Sequence, residues 1–383
     1  MKEHDWVLSI QDTCFINYTH HPSKEDLGEI GTTEQGISGL VMHGSLVTTL
    51  EGLPLGRLSQ TLWARPRAEV VKATKRRTKR IEDKESYKWL ESLRESVALT
   101  PRDVDVIQVC DRESDIYEFF AEAQKLQAWV LVRASQNRVV FGEEEADKLW
   151  SYMDSVPAQK VFQILIPRKK NQAARKATVE MRYKEVEVKR PVNGGCEGIE
   201  SLELTAIWLI ERHPPKGAEG IQWMLLTNLL VETNEMAFSC VKWYQTRWQI
   251  EVYHRILKSG CKIEDCRLET RERIIRYVTL MSIIGWRIFW MTYVGRVTAE
   301  ERCTEVLAEH EWKALYCHIH KKQRVPKKVP TVYEAMRWIA RLGGFLGRRS
   351  DGEPGTMSIW RGWQRLTDIA ETWLILSPIY TCG

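Results

Sequence analysis

Val104-Asp105-Val106-Ile107-Gln108-Val109-Cys110-Asp111, followed at once by Arg112-Glu113-Ser114-Asp115, reads as a buried strand that ends in a carboxylate and hands over to a helix. A short apolar run rich in β-branched residues fits a pleated, covered sheet better than a helix. The segment behind it opens a helix to about Gln127, and Trp129-Val130-Leu131-Val132-Arg133 is a further strand, ending in a cation. Upstream, Trp6-Val7-Leu8-Ser9-Ile10-Gln11-Asp12 repeats the first pattern, an apolar run closing on Asp. Strands alternating with helices, two of them ending in Asp, predict an α/β sheet with its chemistry at the strand ends.

Outward from this centre the texture changes. Two β-like runs between residues 36 and 65, punctuated by Glu51-Gly52, predict a hairpin. Residues 72–80 carry six cations in nine positions, either a solvated loop or a polyanion-binding arm. Residues 81–99 read as a helix. From about 134 to 221 the sequence becomes strand-like and rich in Lys and Arg, with runs at 161–166, 179–188 and 202–210, and Trp223 opens another strand. Beyond Lys258 nearly everything reads as helix: 272–296, 300–321, 331–342 and 357–374, with a basic glycine-rich turn at 343–349.

Between these regions lies Trp243-Tyr244-Gln245-Thr246-Arg247-Trp248-Gln249-Ile250-Glu251, running on through His254 and Arg255 to Lys258 without Gly or Pro. On a helix advancing about 100° per residue, Tyr244, Arg247, Glu251 and Lys258 share one stripe. Val252, Tyr253, Ile256 and Leu257 lie on the opposite half and predict the face packed on a core. A carboxylate among cations and a phenol suits a site handling divalent metal and phosphate together; the alternative is a solvated stripe of intrahelical ion pairs.

Composition sets bounds. With 56 Lys and Arg against 51 Asp and Glu, the formal charge of +5 permits a polyanionic partner without demanding one, so clustering matters more than the sum. Nine cysteines form no C-x-x-C pair. Cys261 and Cys266 have no second Cys/His pair at a zinc-finger distance, and free thiols in a reducing cytoplasm are the expectation. The first residues, Met-Lys-Glu-His-Asp-Trp, do not form a signal peptide. The longest apolar segment, 277–294, contains Gly285 and Arg287 and is expected to be a core helix, with no membrane partner. Neither a P-loop nor a dinucleotide fingerprint occurs.

Three carboxylates stand out: Asp12, Asp111 and Glu251. Hard divalent cations are commonly held by a few carboxylates plus substrate phosphates, and two such ions can support an in-line displacement at phosphorus. Arg247, Lys258 and the basic run at 72–80 would neutralise phosphates nearby. Each Asp alone is weak evidence, because a strand-end Asp often only caps a helix; together with the cationic stripe they favour the functional reading.

Tyr244, Arg247, Glu251 and Lys258 resemble, in type and spacing, the Y-x-x-R-x-x-x-E-x-x-x-x-x-x-K signature of DDE transposases, specifically the insertion-sequence-four family that includes the transposon-five transposase. Val109-Cys110-Asp111-Arg112-Glu113-Ser114-Asp115 is similar to that group's V-C-D-R-E-A-D, and Ile10-Gln11-Asp12-Thr13 to its I-Q-D-T. The closing Leu342-Gly343-Gly344-Phe345-Leu346-Gly347-Arg348 and Gly352-Glu353-Pro354-Gly355 are similar as well. The resemblance implies an α/β fold with an RNase H-like catalytic core. Its first part would be 1–133, a mostly β insertion 134–222, its second part with the signature helix 223–295, and a helical dimerisation region 296–383.

By the same resemblance Asp12, Asp111 and Glu251 are the catalytic, metal-binding triad, using Mg²⁺ with Mn²⁺ able to substitute. The implied activity is cut-and-paste transposition: nicking of DNA at the transposon end, hairpin formation, reopening, and strand transfer. The implied partners are double-stranded DNA, as transposon ends and target, and a second copy in a homodimeric synaptic complex; the implied location is a bacterial cytoplasm, at the nucleoid when on DNA. Tyr244, Arg247 and Lys258 look like the grip on the phosphate of a flipped base. Trp223 matches an aromatic that stacks on bases, offsetting about 1–3 kcal/mol of lost stacking per base; the alternative is a core strand Trp beside Met224 and Leu225. Arg133, Arg255 and Arg267 match DNA-backbone contacts, or are only surface charges. Family members carry an N-terminal end-recognition domain, whereas here the first catalytic strand is expected to begin at Trp6. That departure keeps two alternatives open: a truncated, non-catalytic form that dimerises with and inhibits a full-length transposase, and a structure-selective nuclease on the same fold.

Overall fold

The valine- and isoleucine-rich runs form the middle of a mixed sheet in the computed structural model, which describes residues 1–31, 36–66, 79–141, 146–166, 174–192, 198–348 and 350–376. The chain divides into two compact units. The first comprises Met1–Cys14, Met42–Gly52 and Gly56–Ile250; the second comprises Phe15–Val41, Leu53–Leu55 and Glu251–Gly383. Most of the basic run at 72–80 lies outside the described residues; of it only Lys79 and Arg80 are described.

The first unit starts from β1 (Trp6–Asn17), β3 (Ile37–Thr48) and β4 (Pro54–Trp63), strands that each cross between the units, β2 (Gly28–Ile30) belonging wholly to the second. β5 (Asp105–Cys110) and β6 (Trp129–Arg133) follow, then β7 (Val139–Phe141), β8 (Ala146–Lys148), β9 (Lys160–Ile166), β10 (Arg175–Lys189), β11 (Ser201–Ile210) and β12 (Gln222–Thr227). Strands run in the order β3-β1-β5-β6-β12-β11-β10-β7-β8, with β4 paired to β3 and β9 to β10. β1, β5 and β6 are mutually parallel, and the remaining pairs from β6 to β10 are antiparallel. The parallel strand β5 is buried almost throughout, as expected for a strand covered on both faces. In β10, Ala177, Val179 and Met181 are buried on one face and Val186 and Val188 on the other, each run alternating with less buried neighbours in the two-residue period of a strand.

The helices α1 (Tyr87–Leu99), α2 (Tyr117–Lys125) and α3 (Leu149–Ser155) pack on this sheet. Trp89, Leu93, Phe119, Phe120, Leu149 and Met153 from them pack with Cys110, Val130, Val132, Val188, Leu204 and Leu226 of the sheet in one core. α4 (Asn234–Thr246) opens with Thr233, whose hydroxyl accepts from the Met236 N–H at 3.2 Å. α5 (Trp248–Arg255) straddles the division between the units.

In the second unit β2 pairs antiparallel with β3, Gly28 opposite Gly39. A π-helical stretch, Ile256–Gly260, continues from α5, followed by α6 (Arg271–Val297), α7 (Glu309–His320), α8 (Val332–Leu342) and α9 (Thr356–Leu376). Tyr253, Ile256 and Leu257 are buried, and the Tyr253 hydroxyl donates to the Ser282 carbonyl of α6 at 3.0 Å. α6 is long and apolar enough to cross a membrane, a test that core helices of soluble proteins also pass. α8 and α9 approach at Gly343 and Gly362, where a Cβ would collide with the Ser358 and Ile339 carbonyl oxygens respectively.

Several sequence expectations are corrected. β1 does not end at Asp12 but runs to Asn17, because β3 remains its neighbour after β5 has stopped. The helix expected behind Asp111 is a 3₁₀ turn, Arg112–Ser114, and only then α2, and the one expected at 81–99 begins at Tyr87 after a 3₁₀ turn. The helix expected from 300 starts at Glu309, where the Glu311 carboxylate accepts from the Ala308 N–H at 2.7 Å. The 3.6-residue wheel does not extend to Lys258, which sits in the π-helical stretch.

Candidate active site

Two carboxylates follow a parallel pair of strands. The pairing of β1 with β5 runs to Ile10 opposite Val109. Asp12 lies two residues further along β1, and Asp111, two residues beyond Val109, is the first residue past the end of β5. Asp111 keeps an extended backbone, and its side chain accepts from the Glu113 N–H at 2.9 Å, capping the 3₁₀ turn. Burial pushes its carboxyl above the usual value and Glu113 adds to that, while the Glu113 N–H, Arg247 and Lys88 oppose it. Its negative charge is therefore only partly compensated.

The Arg247 guanidinium, at the junction of α4 and α5, lies 3.9 Å from the Asp12 carboxylate. Tyr244, one turn earlier, is buried; burial raises its hydroxyl, against the pull of Arg247 and of Arg133. Arg133, at the end of β6, donates to the Gln222 carbonyl at 3.0 Å and is hydrogen-bonded to Tyr244; burial holds its guanidinium below the usual value. Trp223 of β12 is half-buried and meets Tyr244 edge-on, ring centroids 5.4 Å apart. So the first unit gathers Asp12, Asp111, Arg133, Trp223, Tyr244 and Arg247 in one cluster, with Arg247 between the carboxylates and Tyr244.

The remaining residues belong to the second unit. Glu251, its first residue after Ile250, lies one helical turn beyond Arg247 in sequence and is half-buried. Lys258 is 3.6 Å from Glu264, whose carboxylate also accepts from the Asn17 N–H at 2.9 Å. Arg255 and Arg267 are exposed.

The residues around the cluster that sequence reasoning missed are polar and buried. Asp115 accepts from the Ser135 and Gln136 N–H groups at 2.6 and 2.7 Å and from Arg138 at 2.6 Å, and the Ser135 hydroxyl donates to the Arg112 carbonyl. This ties the turn after Asp111 to the loop after Arg133. Behind Asp12, the Gln11 amide donates to Gln108 at 2.9 Å, and His43 bonds the Thr13 hydroxyl at 3.0 Å and packs edge-on against Trp89. Polar residues inside apolar strands, Gln11 and Gln108, were the one signal of this layer; nothing in sequence paired Asp115 with Arg138.

Among the described residues no group of three or more His, Cys, Asp or Glu side chains is placed to hold a metal ion. The pair Asp12 and Asp111 nevertheless fits a hard cation in chemistry, both being half-buried carboxylate oxygen donors. The cysteines among the described residues are free and buried, Cys261 and Cys266 included.

Oxygen donors thus stand beside guanidinium and aromatic groups where β5 and β6 end. Residues 120–284 match the family model described as a transposase DDE domain, and residues 283–374 match a transposase Tn5 dimerisation domain. Both matches are to transposase families, the first to a domain of a kind that generally uses divalent metal ions and the second to a dimerisation domain. Among solved structures, the cryo-EM structure of the piggyBac transposase synaptic complex with hairpin DNA is similar at 10% identity and a TM-score of 0.36, over 95% of this chain and 57% of that one. The chain thus spans little more than half of that protein's length.

Proposed function

We infer that this chain is a cut-and-paste DNA transposase of the insertion-sequence-four kind, with an RNase H-like core, cleaving and joining DNA strands as a homodimer on transposon ends and target in a bacterial cytoplasm. The observation that carries this is the Arg247 guanidinium, 3.9 Å from the Asp12 carboxylate and also acting electrostatically on Asp111.

Asp12, Asp111 and Glu251 would hold Mg²⁺, which when bound supplies activation of an attacking oxygen and stabilisation of a leaving one at phosphorus. Arg247 sets a fixed positive charge against the same carboxylates and is placed to pair with a phosphate oxygen. Arg133 keeps the Tyr244 hydroxyl oriented, and Tyr244 in turn supports the edge of Trp223. Held that way, Trp223 offers a half-exposed ring for an extruded base, and Tyr244, Arg247 and Lys258 grip the phosphate beside it. Arg255 and Arg267 add exposed positive charge for the DNA backbone.

The test is incubation of the protein with duplex DNA carrying a nick that exposes a 3′-hydroxyl, with and without Mg²⁺. Hairpin-ended product should form only with metal and vanish in Glu251→Gln. Metal-independent cleavage, or an unaffected Glu251→Gln variant, overturns the assignment; absence of all cleavage together with capture of a full-length transposase partner favours the inhibitory alternative.

A further inference from the structure

The loop joining α7 to α8 carries Lys321, Lys322, Arg324, Lys327 and Lys328, behind His318 and His320 in the last turn of α7. No Asp or Glu occurs between Glu311 and Glu334. All five cations are exposed, and no ion pair among the described residues includes any of them. Some cations elsewhere in this unit do have carboxylates: Arg276 with Glu272 at 2.7 Å, Lys313 with Glu309 at 2.6 Å, Lys262 with Asp265 at 3.5 Å. The negative end of α7 accounts for cations within its last turn only. It does not account for Arg324, Lys327 and Lys328.

The loop is anchored at both ends. Lys321 takes a left-handed conformation, φ 55°, and the Lys322 N–H returns to the Cys317 carbonyl at 3.2 Å. At the far end the Cys303 N–H donates to the Pro330 carbonyl at 2.9 Å, and Thr331 and Glu334 close a capping box. The His320 ring packs on Tyr316 and Trp338 at 4.4 and 5.0 Å. Five like charges within eight residues repel one another, a cost that a polyanion removes as counterions are released from it.

We propose that residues 318–328 form a second docking surface for duplex DNA, made of none of the candidate active-site residues and engaging phosphates without reading sequence. The proposal rests on the transposase assignment for its partner. Its test is binding of the full chain to a random-sequence duplex, without divalent metal, across a salt series. Each phosphate contact contributes about 0.9 to the slope of log affinity against log salt. The variant K321Q/K322Q/R324Q/K327Q/K328Q should lower that slope by about three to five, and K327Q/K328Q alone by about two. Neutralising the paired cations, as K262Q/R276Q, should leave it unchanged, and thermal melts of all three should match the parent. A parental slope in the five-fold variant, or no duplex binding by the parent at low salt, overturns the proposal. Failure of the transposase assignment would appear separately, as absence of metal-dependent cleavage, whichever way the slope falls.

Discussion

Replacing Asp115 with Asn probes the layer beneath the candidate site. The Asp115 side chain is fully buried, and that of Arg138 is 8% exposed, so neither charge has water as a substitute partner. One carboxylate oxygen accepts from two backbone N–H groups and the other from the Arg138 guanidinium. A carboxamide must turn its NH₂ toward one of these donor sets, losing those bonds, and it leaves Arg138 charged and buried. Removing one partner of a buried pair costs about 3–5 kcal/mol. Urea denaturation of the parent and of Asp115→Asn, followed by tryptophan fluorescence, should show a loss of that size. The double variant Asp115→Asn/Arg138→Met removes the stranded cation and should recover at least about 1 kcal/mol relative to the sum of the single changes. A loss below about 1 kcal/mol in the single variant, or strict additivity in the double, would refute the reasoning.

Two further outcomes are expected. Gly362→Ala places a methyl against the Ile339 carbonyl and should destabilise the α8–α9 contact by about 3 kcal/mol, read as a lower melting temperature; an unchanged melt would show that the helices separate freely. Glu211 is held below the usual carboxylate value, first by Arg175, so its unfolded form binds a proton at a higher pH than its folded form. Its contribution is therefore fully present above the usual carboxylate range and lost as pH falls through the lower, folded value. Glu211→Gln should flatten the acid limb of a stability–pH curve, and superimposable limbs would count against the pairing.

Much of the fold was legible because apolar period and turn residues were unambiguous where strands were buried: β5, β6, β11 and β12 fall within a residue or two of their expected limits. Limits blurred where a second partner decided them. β1 outruns Asp12 because β3 extends it, and α7 starts late because the Glu311 carboxylate, accepting from the Ala308 N–H, fixes its first turn. In the site, Asp12, Asp111, Tyr244 and Arg247 carried a readable spacing, and the structure gathers these four in the first unit. Arg133 and Trp223 could be named only through the resemblance, since a strand-end Arg and a strand Trp are individually ordinary. The Asp115–Arg138 pair and the Gln11–Gln108–His43 layer depend on residues brought together by folding alone, and local sequence contains no such information.

The central claim, that Asp12, Asp111 and Glu251 hold divalent metal, is tested most directly by titrating Mn²⁺ into the full chain by calorimetry, in parallel with Asp12→Asn, Asp111→Asn and Glu251→Gln. A saturable heat in the parent that is lost or sharply weakened in each of the three variants is the predicted result. Binding that survives unchanged in all three, or no binding by the parent in the presence of duplex DNA, would contradict it.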